Sequence, residues 1–186
     1  MRKLPLLVLA LLSFFLPSLA QAEEYPDTLS LGGGFYNFDK VPRTERVSND
    51  FRLEYRSGLS LLPLLSDSFN DADSVFQIHP TVGLEANTKG AVYASAGINL
   101  DIPFLYYGIF TWGETVGVFG VGDDVRPLGS ILQFRSQVEL GFRFENNLRI
   151  TGFISHLSNA HIVDDNPGAE IVGVYMHVPL SLFDNL

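Results

Sequence analysis

The sequence predicts an all-β chain, an eight-stranded antiparallel transmembrane β-barrel behind a cleaved N-terminal signal peptide. Three observations predict it. The chain opens on an export signal, and its remainder alternates apolar and polar residues with period two. That remainder also lacks cysteine and any apolar run long enough for a membrane helix.

The opening segment, "MRKLPLLVLALLSFFLPSLAQA", starts with Arg2 and Lys3, continues apolar and ends at Ala20-Gln21-Ala22, a small-x-small cleavage site. Pro5 and Pro17 argue against a retained anchor helix. Residues 1–22 therefore read as signal peptide and 23–186 as one barrel domain beginning at Glu23. The formal charge of the whole chain is −9, and loss of Arg2 and Lys3 makes the mature chain more acidic still. Such a chain has no electrostatic attraction for nucleic acid. With no cysteine, neither a disulfide framework nor a thiolate metal site is available.

Strands are expected near 28–38, 49–57, 76–87, 91–102, 104–117, 130–145, 148–161 and 170–182, with turn signals at 87–90 (NTKG), 145–147 (ENN) and 164–168 (DDNPG). The clearest alternation is "ILQFRSQVELGFRFE" at 131–145. One row reads Leu132, Phe134, Ser136, Val138, Leu140, Phe142, Phe144; the other is polar or charged apart from Ile131 and Gly141. Side chains that alternate in this way stand on opposite faces of a strand.

A soluble sandwich or lipid carrier would turn the apolar rows inward, whereas a transmembrane barrel turns them toward lipid. The polar rows hold Arg52, Glu54, Arg56, Glu85, Asp101, Arg135, Glu139, Arg143, Glu145 and Arg149. Such mixed signs fit an ion-pair network inside a narrow barrel, and would also fit a solvated outer face. Several runs reach the ~9–11 residues a tilted strand needs to cross a bilayer, which favours the membrane barrel. Against it, the chain ends "LFDNL", with Phe183 three residues from the end, where many such barrels end in an aromatic residue.

Strand seven breaks its own pattern. Its apolar row begins Leu148, Ile150, Gly152, Ile154 and then continues His156, Ser158, Ala160. The apolar row of strand eight is headed by Glu170. A hairpin centred near residue 163 sets 156 opposite 170, and directly opposed side chains share a face with Cβ atoms about 4.5–5.5 Å apart. Ser158, His156 and Glu170 then form one outward patch in the order nucleophile, base and orienting acid, the logic of a serine-hydrolase triad. An imidazole, with an ordinary pKa near 6.5, suits the base. With both termini on the periplasmic side, the patch falls at the outer rim, where polar groups on the lipid face cost least. The plainer reading is three interfacial polar residues. His79 and His177 fall on interior rows, where a hydrogen-bonded structural role is expected, and His161 falls at the loop. No two histidines have a metal-ligand spacing.

The segment 128–180 resembles the lipid A 3-O-deacylase family (the PagL type), whose members are eight-stranded outer-membrane barrels. The resemblance is carried by His156-Leu157-Ser158-Asn159 followed by Ala160, by Glu170 fourteen positions after the histidine, and by Phe134 twenty-two positions before it. It implies that Ser158 is the nucleophile, His156 the base and Glu170 the acid. It also implies an oxyanion role at Asn159 and Ala160, through backbone N–H groups because alternation turns the Asn159 side chain inward. Phe134 would line the acyl groove. The family often has an acid two residues after that phenylalanine; this chain has Ser136.

The activity implied is that of an outer-membrane esterase removing an ester-linked acyl chain, the 3-O-acyl group, from lipid A. The implied partners are lipopolysaccharide as substrate and the surrounding outer-membrane lipids, with local help from residues such as Arg126 in binding an anionic substrate. No metal or organic cofactor is implied, and a homo-oligomer is left open. The alternative is a non-catalytic small outer-membrane barrel with a structural or adhesive role.

Overall fold

The computed structural model describes residues 25–40, 47–62, 76–122 and 127–183. The expected signal peptide and Arg126 lie outside the described residues. Eight strands follow in chain order: β1 (Thr28–Tyr36), β2 (Ser48–Arg56), β3 (Gln77–Asn87), β4 (Val92–Phe104), β5 (Gly108–Gly120), β6 (Leu132–Arg143), β7 (Arg149–Ser158) and β8 (Ala169–Pro179). Each pairs antiparallel with its neighbours, and β1 pairs with β8 to close the barrel. Closure leaves no strand edge unpaired, a requirement for any sheet in a membrane.

The alternation that predicts the strands also orients them. In β2 the residues Phe51, Leu53 and Tyr55 are exposed, while Asp50, Arg52, Glu54 and Arg56 between them are buried. The apolar rows therefore face outward, which removes the soluble barrel with an apolar lumen. β4 runs to Phe104 and β5 starts only at Gly108, later than the expected 104–117. Between them Leu105, Tyr106 and Tyr107 form a turn with φ of 54° at Leu105. A turn built from exposed aromatic and apolar residues carries no Gly, Asn or Asp signal, so its position was hidden.

The interior is layered. Arg52 pairs with Asp50 at 2.7 Å and with Glu85 at 3.1 Å. Arg56 bridges Glu54 at 3.0 Å and Glu139 at 2.5 Å. Arg135 reaches across from β6 to Glu54 and, at 3.1 Å, to Glu85. Nearer the end that carries Thr28, Arg149 holds Asp101 at 2.5 Å. His177 is bound to Ser30 Oγ at 2.8 Å and Thr151 Oγ1 at 2.9 Å, and His79 Nδ1 lies 3.2 Å from Leu59 O; both take the expected structural role. Glu145 is a correction: it is exposed in the β6–β7 turn and receives the Tyr107 hydroxyl at 3.3 Å. β6 ends at Arg143, so the alternation beyond it no longer describes a strand face.

Toward the opposite end the lumen is closed by an apolar and aromatic plug. Tyr36, Tyr93, Phe119, Phe153, Leu157, Ile171 and Tyr175 are buried together there. The inward row of β7 thus changes from polar to apolar as it approaches Ser158, and the end of that strand is packed from within.

Candidate active site

The outward rows of the eight strands are apolar with few exceptions. Asn49 stands at the start of β2, and the aromatic Tyr55 and Trp112 carry polar tips. The remaining exceptions are Glu114, Ser136, His156, Ser158 and Glu170, and the register puts them side by side. Glu114 pairs with Ser136, Ser136 with His156, and His156 with Glu170, forming one row across β5 to β8. Phe134 pairs with Ser158 in the next row toward the rim.

His156 and Glu170 stand opposite each other as the hairpin predicts, with His156 Nδ1 2.5 Å from Glu170 Oε1. The imidazole is half exposed and the carboxyl about a third exposed, so the pair sits on the surface and not in the lumen. With Nδ1 engaged, Nε2 is the ring nitrogen left to face a neighbour. Ser158 is the last residue of β7 and stands two residues from His156 on the same face, a separation of about 7 Å between Cα atoms. Among the described residues no hydrogen bond joins Ser158 Oγ to the ring. Gly168, with φ of 61°, lies against His156: a Cβ there would meet His156 Cε1 at 3.0 Å.

Beyond Ser158 the backbone turns abruptly. Ala160 and His161 have φ of 52° and 59°, a left-handed conformation that non-glycine residues seldom adopt. Such strain persists only where the surroundings enforce it. Here the enforcing residue is Asn159, whose side chain points inward and is wholly buried. Its Nδ2 donates to Leu128 O and to Asp165 O, each at 2.9 Å, which ties the β5–β6 and β7–β8 connections to the strand end. The Asn159 N–H donates to Asn166 Oδ1 at 3.0 Å, and the Ala160 N–H makes no hydrogen bond among the described residues. At Gly129, with φ of 79°, a Cβ would collide with Asp165 O, so the two connections pack backbone to backbone.

The hairpin register and the inward Asn159 follow from the sequence. Glu114 does not emerge from it, although its signal is the same as that of His156. Phe110, Trp112, Glu114, Val116 and Val118 form one outward row, and the acid interrupts it. Ser136, which stands where an acid would fit the resemblance, donates its hydroxyl to Glu114 Oε2 at 2.8 Å. A carboxyl group therefore lies beside Ser136, on the adjacent strand. Among the described residues no cluster of side chains suited to a metal ion occurs.

An eight-stranded closed barrel with apolar outward rows belongs to the class of small outer-membrane barrels. The family model described as "Lipid A 3-O-deacylase (PagL)" matches residues 32–179, and the chain belongs to that family. It is accordingly an outer-membrane enzyme, a hydrolase of carboxylic esters, in a family whose activity is the 3-O-deacylation of lipid A. Among solved structures, the chain is similar to the crystal structure of the outer membrane enzyme PagL, with 18% identity, a TM-score of 0.59, and coverage of 82% of this chain and 99% of that one. It is also similar to a de novo designed transmembrane β-barrel, with 9% identity, a TM-score of 0.51, and coverage of 86% and 100%. At these identities the likenesses establish the fold. A comparison with curated protein sequences finds no match.

Proposed function

We propose that this enzyme cleaves the 3-O-acyl ester of lipid A with a Ser158–His156–Glu170 triad on the lipid-facing wall of the barrel. The observation that supports this reading best is the His156–Glu170 pair at 2.5 Å, beside Ser158, on an otherwise apolar outward surface. A charged or hydrogen-bonded group on that surface is costly near mid-membrane, about 2–4 kcal/mol for a basic residue, and nearly free at the rim. β7 ends at Ser158 and β8 begins at Ala169, so the triad sits at one rim. With the termini on the periplasmic side this is the outer rim, level with the lipid A esters.

Ser158 Oγ attacks the ester carbonyl carbon while His156 Nε2 takes the hydroxyl proton. Glu170 holds Nδ1–H, fixes the tautomer and stabilises the imidazolium. The tetrahedral oxyanion collapses, the sugar oxygen leaves with the proton from Nε2, and the acyl group stays on Ser158. Water, deprotonated by His156, then releases the fatty acid and restores the serine. The missing Ser158–His156 hydrogen bond is compatible with this sequence, since catalytic hydrogen bonds often tighten only with substrate in place. Ala160 N–H is the oxyanion donor of choice, because the Asn159 N–H is already bonded to Asn166. One such donor is worth about 2.7–4 kcal/mol where measured. Asn159 then serves the hole by enforcing the turn, and Phe134, level with Ser158, lines the wall along which the acyl chain lies.

A fluorophosphonate with a long alkyl chain tests the reading. Labelling at Ser158, found by peptide mass and lost in Ser158→Ala, is expected. Labelling elsewhere, or none in the folded barrel, would refute it. A second expectation concerns Gly168. Alanine there is strained and presses on the imidazole, so Gly168→Ala should slow turnover by roughly 10–100-fold with the barrel still folding. Unchanged turnover would show that the ring position does not matter.

A further inference from the structure

The inward row of β6 begins at Gln133, one residue before Phe134, and this side chain is wholly buried. Its Nε2 donates to Ser130 O at 2.6 Å and to Leu128 O at 3.2 Å, which ties the connection before the strand down onto the strand itself. Leu128 is buried in the apolar plug, and its carbonyl also receives Asn159 Nδ2 at 2.9 Å. A carbonyl oxygen has two lone pairs, so these two donors fill Leu128 O. One comes from β6 and the other from the end of β7.

Two amides thus hold one atom between them. Tyr93 steadies the Gln133 side, donating its hydroxyl to Gln133 O at 3.3 Å. Gly129 steadies the loop side, packed so closely on Asp165 that a Cβ would collide with Asp165 O, the second acceptor of Asn159 Nδ2. Neither carbonyl that anchors Asn159 belongs to β7. The left-handed turn at Ala160 and His161 is not self-supporting, so its position depends on where the β5–β6 connection places Leu128 O.

We propose that Gln133 is a positioning residue for ester hydrolysis: from inside the barrel it fixes Leu128 O, through which Asn159 holds the turn that aims the Ala160 N–H. The proposal rests on the reading of Ser158 as nucleophile and Ala160 N–H as oxyanion donor. Gln133 touches no substrate, because the barrel wall stands between its side chain and the lipid. Connections between strands move more than strands do, whereas a reacting constellation must be held to within about 0.5 Å. β6 is paired on both sides in the closed sheet. Gln133 passes the rigidity of that sheet to a segment that would otherwise follow its own loop.

The test uses the full-length enzyme folded in detergent micelles and follows fatty-acid release from lipid A. Gln133→Met keeps the length of the side chain and removes both donated hydrogen bonds. It should lower kcat by roughly 10–100-fold with KM within about threefold of wild type, the loss expected when a reacting group shifts by about 1 Å. Asn159→Ala breaks the link through which Gln133 acts. Adding Gln133→Met to it should therefore cost less than about threefold more. A general structural role for Gln133 would instead multiply the two losses, which would overturn the proposal. So would a Gln133→Met rate within about threefold of wild type. Should Gln133→Met fail to fold, Gly129→Ala disturbs the same carbonyl from an exposed position in the connection. It should lower kcat by about tenfold or more, and a wild-type rate there would equally overturn the proposal. Ser158-dependent hydrolysis that is indifferent to these changes defeats this inference alone. Hydrolysis that survives Ser158→Ala defeats the nucleophile assignment and this inference with it.

Discussion

Replacing His156 by asparagine is expected to lower the rate constant for lipid A deacylation by up to about 10⁶-fold, while KM changes little. In the proposed mechanism the base is needed twice, to activate Ser158 and to activate the deacylating water, and no other imidazole among the described residues is in reach. His161 lies in the turn beyond Ser158 with its Nδ1 toward Asn166, and His79 and His177 are inside the barrel. Removing one member of a triad that acts as a unit costs about as much as removing all of it. Glu170→Gln should cost less, on the order of 10³–10⁴-fold, because the ring stays in place while its tautomer and charge lose support. The measurement is single-turnover release of fatty acid from purified lipid A. A His156 variant with a rate within tenfold of wild type would mean that the His156–Glu170 pair is structural.

The second large effect is on stability. Arg135 is buried in the lumen and joins β6 to Glu54 on β2 and Glu85 on β3. Arg135→Leu leaves those two carboxyl groups facing each other with part of their compensation gone. Removing one partner of a buried ion pair costs about 3–5 kcal/mol. Urea unfolding of the barrel from lipid vesicles should show a loss of that size. Adding Glu85→Gln should restore much of it, since Arg52 alone would otherwise have to balance both Asp50 and Glu85. Glu54 keeps Arg56 at 3.0 Å and the Tyr175 hydroxyl at 2.8 Å and needs no change. A loss below 1 kcal/mol would mean that water enters the lumen and solvates these groups.

The contrast between the two effects explains what could be read from the sequence. Period-two alternation fixes both the strands and their faces, so the barrel and its closed polar lumen were legible. The His156–Glu170 pairing was legible because the turn signal at 164–168 centres the β7–β8 hairpin near residue 163. What escaped depends on pairings and contacts that no recognised turn signal centres. Glu114 meets Ser136 only through the β5–β6 register, for which the sequence reading had no turn signal. The plug of Tyr36, Tyr93, Phe153 and Tyr175 likewise gathers one residue each from β1, β4, β7 and β8. The left-handed turn at Ala160 and His161 has neither Gly nor Asn at the strained positions to announce it. Its cause is the buried Asn159 side chain, whose acceptors Leu128 O and Asp165 O belong to two other segments.

The central claim is that a hydroxyl on the outer wall, at the end of β7, cuts an ester of the surrounding lipid. Its most direct test is the mass of lipid A from cells producing the wild type and cells producing Ser158→Ala, with both barrels shown to be folded by heat-modified gel migration. The account predicts lipid A lighter by one 3-O-linked acyl chain with the wild type and full-mass lipid A with Ser158→Ala. Lipid A of the same shortened mass in both would contradict it.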